Sequence, residues 1–153
     1  MRLRTIPAIA TLCSVPAFAA VKPCDLITTQ IASTIFGTPT QPGVEYKIEA
    51  MGTSCVYRTS SGGEVSAFVI DGPHMGATPA QMFPIVTEPK TADEKAEPVP
   101  GLGDKSSLLA SSTETAIVVL YHGKVLELSA AGSKNPALKS ALIAAAKQVL
   151  SKL

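Results

Sequence analysis

The sequence has few aromatic and histidine side chains. Its 153 residues include no tryptophan, three tyrosines, four phenylalanines and two histidines. A stacking surface for bases or sugars needs clustered aromatic rings, so the composition argues against that class of binding protein. The 13 lysines and arginines nearly balance the 12 aspartates and glutamates. This balance offers no electrostatic reason to bind nucleic acid or an anionic membrane surface.

The sequence also lacks the short motifs that mark common catalytic sites. It contains no G-x-S-x-G, S-x-x-K or H-E-x-x-H pattern, no P-loop and no dinucleotide fingerprint. Gly101 and Gly103 form only a fragment of a glycine-rich loop, and they precede a predicted strand rather than a helix. We interpret the pair as a turn with unusual backbone angles. No catalytic residue, metal ion or cofactor is predicted.

The first residues have the features of a secretory signal. Arg2 and Arg4 precede a mostly apolar stretch at 6–15, and Ala17 and Ala19 occupy the small-residue positions before a signal peptidase site. The apolar stretch is too short to span a bilayer. The alternative, a buried N-terminal helix, is disfavoured by the two arginines and by two prolines in the segment. We expect cleavage after Ala19, giving a signal sequence at 1–19 and a single periplasmic or secreted domain at 20–153.

Three cysteines are present, and export changes how they are interpreted. Cys13 follows Leu12 and Cys24 follows Pro23, so neither has the small preceding residue of a lipid-attachment site. We therefore expect no stable membrane anchor after signal removal. Cys24 and Cys55 would remain in the mature chain, and two cysteines in an oxidising compartment are expected to pair. Buried free thiols or a redox site are the alternatives, although the absence of a C-x-x-C motif disfavours a thiol oxidoreductase.

The first half of the mature chain is predicted to form one helix and three strands. Apolar residues recur at helical spacing over 24–36, and Gly37 is a natural helix stop. Alternating apolar and polar residues predict strands at 44–50, 53–59 and 64–70. The last two strands are joined by a glycine-rich hairpin turn at 60–63.

The second half is predicted to add a short helix, three more strands and a long final helix. Thr78 and Pro79 open the short helix, which Pro84 limits, and the segment 90–100 is predicted to be a flexible connector. Strands are predicted at 105–110, 115–121 and 124–130, the second of them buried on both faces. Asn135 and Pro136 are predicted to cap a helix that runs to about residue 152. The pattern indicates an α+β fold with a mainly antiparallel sheet of about six strands and the N- and C-terminal helices on one face.

Loops on a rigid sheet are the usual place for binding surfaces, so the loop residues are the candidates for a site. The candidates are Asp71, His74, Met75, Gly101, Gly103, Asp104 and His122. We expect a non-enzymatic binding or accessory protein whose partner is another envelope protein or a small apolar ligand. One alternative is a small metal-dependent or hydrolytic envelope enzyme that uses His74 or His122 with Asp71. The other is a structural component of an envelope assembly.

Three segments together resemble a known family. They are Pro-Cys-Asp-Leu-Ile-Thr at 23–28, Cys-Val-Tyr at 55–57 and Val-Pro-Gly-Leu-Gly-Asp at 99–104. The arrangement resembles small exported bacterial proteins of unknown function, best known as actinobacterial lipoproteins. The resemblance implies an α+β domain with a bridge between the cysteines of the first two segments, and it supplies no catalytic residues. This chain differs from those lipoproteins because it lacks a lipid-attachment cysteine.

Overall fold

The computed structural model describes residues 21–48 and 51–153, which form four helices and one seven-stranded antiparallel sheet. The helices are α1 (Pro23–Leu26), α2 (Thr29–Phe36), α3 (Pro79–Val86) and α4 (Leu138–Leu150). The strands are β1 (Val44–Ile48), β2 (Gly52–Arg58), β3 (Glu64–Ile70), β4 (Lys95–Pro98), β5 (Lys105–Ala110), β6 (Glu114–Tyr121) and β7 (Lys124–Ala131). The predicted α+β class with a mainly antiparallel sheet is confirmed. The predicted signal sequence at 1–19 and the end of the first predicted strand, 49–50, lie outside the described residues.

The strand order is β1-β2-β3-β7-β6-β5-β4, so two runs of hairpin-connected strands meet in the middle of the sheet. The meeting point is the antiparallel pair β3–β7, in which Ala67 lies opposite Leu128 and Ile70 lies opposite Val125. This pairing joins segments more than fifty residues apart in the sequence and makes the two halves one sheet.

The sheet has one more strand than predicted, because β4 lies inside the segment that was expected to be a flexible connector. The four residues of β4 are all exposed and pair with β5 at one edge of the sheet. The turn before β4 is also held: the Asp93 carboxylate accepts hydrogen bonds from the Ser112 N–H at 3.0 Å and the Ser112 hydroxyl at 2.7 Å. The β4 sequence Lys-Ala-Glu-Pro is only four residues long and includes a proline, so it gives no strand signal, unlike the longer alternating sequence of β1.

One face of the sheet is covered by α1, α2 and α4, as predicted for the N- and C-terminal helices. The main core lies between these helices and inward-facing strand residues, among them Val65, Ile117 and Leu128. The Cys24–Cys55 disulfide bond ties α1 to β2 with a Cα–Cα distance of 5.1 Å. The predicted pairing of the two cysteines is confirmed, and Cys55 is fully buried within this core.

The opposite face is not bare, which corrects the expectation that helices cover one face only. Met82, Phe83 and Val86 of α3 pack there against a second cluster that includes Val118 and Leu120 of β6. All five residues 116–120 of β6 are buried, as predicted for a strand covered on both faces. A strand with apolar side chains on both faces needs a cover on each, and α3 supplies the second.

The predicted first helix at 24–36 is in fact two helices separated at Ile27, whose backbone is extended. The break arises because Thr28 caps α2, its hydroxyl accepting a hydrogen bond from the Ile31 N–H at 3.2 Å. The carbonyl of Ile27 is freed by the break and accepts a hydrogen bond from the buried Tyr57 hydroxyl. The α2 helix ends at Phe36, with Gly37 in the left-handed region as predicted.

The N-termini of α3 and α4 are capped differently. Thr78 and Gln81 form a reciprocal capping box at the start of α3, in agreement with the predicted cap. The start of α4 differs from the prediction, because Asn135 does not cap it. The Asn135 side-chain amide instead donates to the Ile35 carbonyl at 2.9 Å, and its oxygen accepts from the Ala137 N–H at 2.9 Å. Asn135 therefore fastens the end of α2 to the turn before α4.

Candidate functional site

The candidate residues predicted from the loops gather at one end of the sheet, which we call the loop end. The register places the end of β3 beside the start of β7, and the end of β6 beside the start of β5. The β3–α3 loop, the turn before β5 and the β6–β7 turn therefore all leave the sheet at the loop end. Each of the seven candidate residues belongs to one of these three segments.

The turn before β5 has the unusual backbone that its glycines predict. Gly101 has φ +74° and Gly103 has φ +64°, a region that side chains with a β-carbon rarely adopt. Gly103 also passes so close to β6 that an added Cβ would lie 2.5 Å from Val119 Cγ1 and 2.6 Å from the Leu120 carbonyl oxygen. The turn is pressed against the sheet, and only glycine fits at this position.

Two of the predicted residues are in direct contact. The Asp104 carboxylate accepts a hydrogen bond from the backbone N–H of His122 at 2.9 Å. His122 has φ +48° and Gly123 has φ +73°, which is the geometry of the tight hairpin turn predicted between β6 and β7. The His122 ring packs edge-on against the Tyr121 ring, with centroids 4.1 Å apart. Asp104 thus links the turn before β5 to the β6–β7 turn.

A groove of about 520 Å³ runs beside this turn, between Phe83 of α3 and residues 98–106. We call it the α3–turn groove. Its apolar lining comes from five side chains, those of Phe83, Pro98, Val99, Pro100 and Leu102. Leu102 belongs to the main core and Phe83 packs against the second cluster, so the groove is built on both. Its volume is larger than that of the 390 Å³ groove between α2 and α4, and it is widely open to solvent.

The other predicted residues lie in the β3–α3 loop. His74 and Ala77 exchange two backbone hydrogen bonds of 2.9 Å around a turn in which Met75 has φ +50° and Gly76 has φ +80°. Met75 stands at the tip of that turn and is 91% exposed. The His74 Nε2 atom is buried and has no hydrogen-bond partner among the described residues. The Asp71 carboxylate accepts a hydrogen bond from the Val21 N–H at 3.2 Å, so it holds the start of the described chain.

Sequence reasoning missed a carboxylate on the face covered by α3. Glu127 alternates with Leu126 and Leu128 along β7, and its side chain is largely enclosed. Burial raises the pKa of the Glu127 carboxyl above its ordinary value of 4.5; Lys90 opposes this shift, and Glu114 and Glu94 add to it. These four groups line a small pocket of about 240 Å³. The missing signal is tertiary, because enclosure depends on the segment around Lys90 folding over the sheet.

In the part of the chain at 21–48 and 51–153, no three His, Cys, Asp or Glu side chains converge closely enough to hold a metal ion. Across the same ranges, no helix combines the length and apolar character needed to cross a lipid bilayer.

Comparison with protein-family models found no matching family, and a search of curated proteins found no matching relative. The resemblance to exported lipoproteins stays a prediction that rests on the three sequence segments.

Proposed function

We propose that the chain is an exported, non-enzymatic binding domain whose α3–turn groove takes a short apolar segment of another envelope protein. The observation that carries the proposal is the groove itself. Of its apolar walls, Leu102 lies in the main core, Val99 packs against that core, and Phe83 packs against the second cluster. The Asp104–His122 contact holds the neighbouring turns. A wall that is already in place loses little conformational freedom when a partner binds, which favours affinity.

Export is supported by two independent features. The pattern at 1–19 is typical of a secretory signal, and the Cys24–Cys55 bond is of a kind that persists in oxidising compartments. Mass spectrometry of the natural protein is expected to find an N-terminus at Ala20 and no thiol that reacts with iodoacetamide after unfolding. An N-terminus at Met1 together with three reactive thiols, those of Cys13, Cys24 and Cys55, would contradict export.

The groove is tested by a charge placed on its rim. Pro100 is exposed and lines the groove, so P100D adds a carboxylate there without removing a core side chain. P89D is the matched control, because Pro89 is also exposed and does not line the groove. The probe is an array of apolar heptapeptides, followed by fluorescence anisotropy on the peptides that bind. P100D is expected to weaken binding at least tenfold and P89D to leave it unchanged.

The same experiment separates the proposal from its alternatives. Peptide binding that P100D leaves intact would refute the α3–turn groove as the site. Binding of the dye 1-anilinonaphthalene-8-sulfonate that P100D abolishes, with no peptide bound, would favour a small apolar ligand over a protein partner. The catalytic alternative rests on His74 or His122 acting with Asp71. Among the described hydrogen bonds, Asp71 accepts from the Val21 N–H, and none joins Asp71 to His74 or His122, so these contacts add no support to that alternative.

A further inference from the structure

Among the described strands, β1 has no neighbour on its outer side, so it is an open sheet edge with an apolar side. All five residues of β1 are exposed, and Val44, Tyr46 and Ile48 remain 49%, 41% and 40% exposed although they are large apolar or aromatic residues. The register with β2 puts these three on the face that α3 covers farther along the sheet. Glu45 and Lys47 alternate with them on the other face. An edge of this kind is a template for another strand.

The hydrogen-bonding direction of β1 follows from its turn. The Ile48 carbonyl accepts from the Met51 N–H at 3.0 Å, so the polar groups of Ile48 point toward the returning strand β2. In an antiparallel pair, residues alternate between those bonded to the partner strand and those that point away from it. The backbone groups of Glu45 and Lys47 therefore point outward from the sheet edge and are the ones that a further strand would meet.

Only one register of two β1 strands brings opposite charges together. When two copies pair antiparallel about Tyr46, Glu45 lies opposite the partner's Lys47, and each copy exchanges backbone hydrogen bonds at both positions. A register shifted two residues either way places Glu45 against the partner's Glu45, or Lys47 against the partner's Lys47. In the central register the other face sets Tyr46 against the partner's Tyr46 and Val44 against the partner's Ile48, which covers exposed apolar surface.

We propose that the occupant of this edge is a second copy of the same chain, paired through β1 about a two-fold axis at Tyr46. The pairing is closed, because each copy uses the same strand and none is left for a third copy. It is independent of the α3–turn groove. A five-residue contact buries less than the roughly 1,200 Å² of a stable interface, so the dimer is weak and is sought at protein concentrations up to about 1 mM.

The opposite edge of the sheet is protected against the same pairing. The β4 strand has only four residues, and Pro98 has no backbone N–H to donate. The Glu97 carboxylate is held by the Lys139 ammonium group at 3.5 Å. Short strands with proline and charge are the usual means by which proteins block an edge. The contrast favours β1 as the edge that associates.

Charge reversal tests the register. E45K gives an edge with only positive side chains and K47E an edge with only negative ones, so each variant alone is expected to raise the dimer dissociation constant at least tenfold in sedimentation equilibrium. An equimolar mixture of the two variants is expected to associate at least as tightly as the wild type, because every position then faces the opposite charge. E88K and K134E carry the same charge changes at exposed positions away from β1 and serve as matched controls.

A backbone variant tests the hydrogen bonds separately. E45P removes an N–H that points outward, so it is expected to abolish the dimer while leaving the β1–β2 pairing and the melting temperature nearly unchanged. Higher salt is expected to reduce the difference between the dissociation constant of E45K alone and that of the E45K and K47E mixture, since the charges are exposed. A wild-type chain that stays monomeric to about 1 mM would overturn the proposal, as would E45K and K47E chains that fail to associate when mixed.

Discussion

Removing the Cys24–Cys55 bond should cost a large part of the folding stability. The two cysteines are 31 residues apart in the sequence. In the chain-entropy model, closing a loop of that size destabilises the unfolded chain by about 3–4 kcal/mol. Because Cys55 is fully buried, alanine at this position leaves little room for water and avoids a buried hydroxyl. The double variant C24A/C55A is therefore expected to lose about 3–4 kcal/mol, with a smaller added loss from packing.

The same figure gives an expected melting shift. The 153 residues less the 19 of the predicted signal leave a mature domain of 134. At about 2.1 cal/mol/K per residue the unfolding entropy is roughly 280 cal/mol/K, so the variant is expected to melt about 11–14 °C lower. Urea unfolding followed by circular dichroism measures the free energy of unfolding directly, and its slope shows whether the unfolded state has become less compact.

Reductant supplies the internal control. Dithiothreitol is expected to shift the wild-type urea midpoint toward that of C24A/C55A and to leave the variant where it is. If alkylation shows that the disulfide bond is formed in the wild type and C24A/C55A still loses less than about 1 kcal/mol of unfolding free energy, the loop-entropy reasoning is refuted for this protein. A reductant effect of equal size on the variant would show that another group is responsible.

Two further substitutions follow from close contacts and from an enclosed carboxylate. In G43A an added Cβ would lie 2.6 Å from both Cys55 Sγ and Tyr57 Cζ, so urea unfolding is expected to show a free energy of unfolding lower by about 1–3 kcal/mol. G72A is the control, because an added Cβ at Gly72 would meet no atom within 4 Å. An equal loss in both variants would contradict this expectation. Because the folded-state pKa of the Glu127 carboxyl is raised, the stability that this group contributes is complete below about pH 4.5 and is lost as pH rises through the folded pKa. The E127Q variant is therefore expected to melt at a higher temperature than the wild type at neutral pH, and its melting temperature is expected to depend less on pH. Melting temperatures that are the same for both proteins from pH 4 to 8 would contradict this expectation.

The strands with strong alternation could be predicted from the sequence with nearly correct bounds. The hairpin turn at 60–63 and the β6–β7 turn were also predictable, since their glycines mark the positions of unusual backbone. In contrast, β4 could not be predicted, because its four residues include a proline and its pairing with β5 is tertiary information. The break at Ile27 was hidden for a similar reason: helical apolar spacing continues across it, and only the Thr28 cap signals a new start.

The candidate site was predictable in part. The loop residues could be selected because they flank strands, and the structure brings Asp104 and His122 into contact. The walls of the groove could not be predicted, because Phe83 meets the turn before β5 only after α3 has packed on the sheet. Glu127 shows the same limit, since strand alternation gives the side of the sheet and does not tell whether that side is covered.

The position of α3 was nevertheless implied by one strand. Residues 116–120 of β6 are apolar at every position, so a sheet covered on one face only would leave Val118 and Leu120 in water. Leaving each of these side chains exposed forfeits about 1.5–3 kcal/mol of burial. A short helix such as α3 is marginal in water by itself and depends on packing of this kind. Of the four helices in the described part of the chain, α3 is the one not assigned to the first face. Its packing on the second face then carries Phe83 to the loop end, and the α3–turn groove exists because β6 must be covered twice.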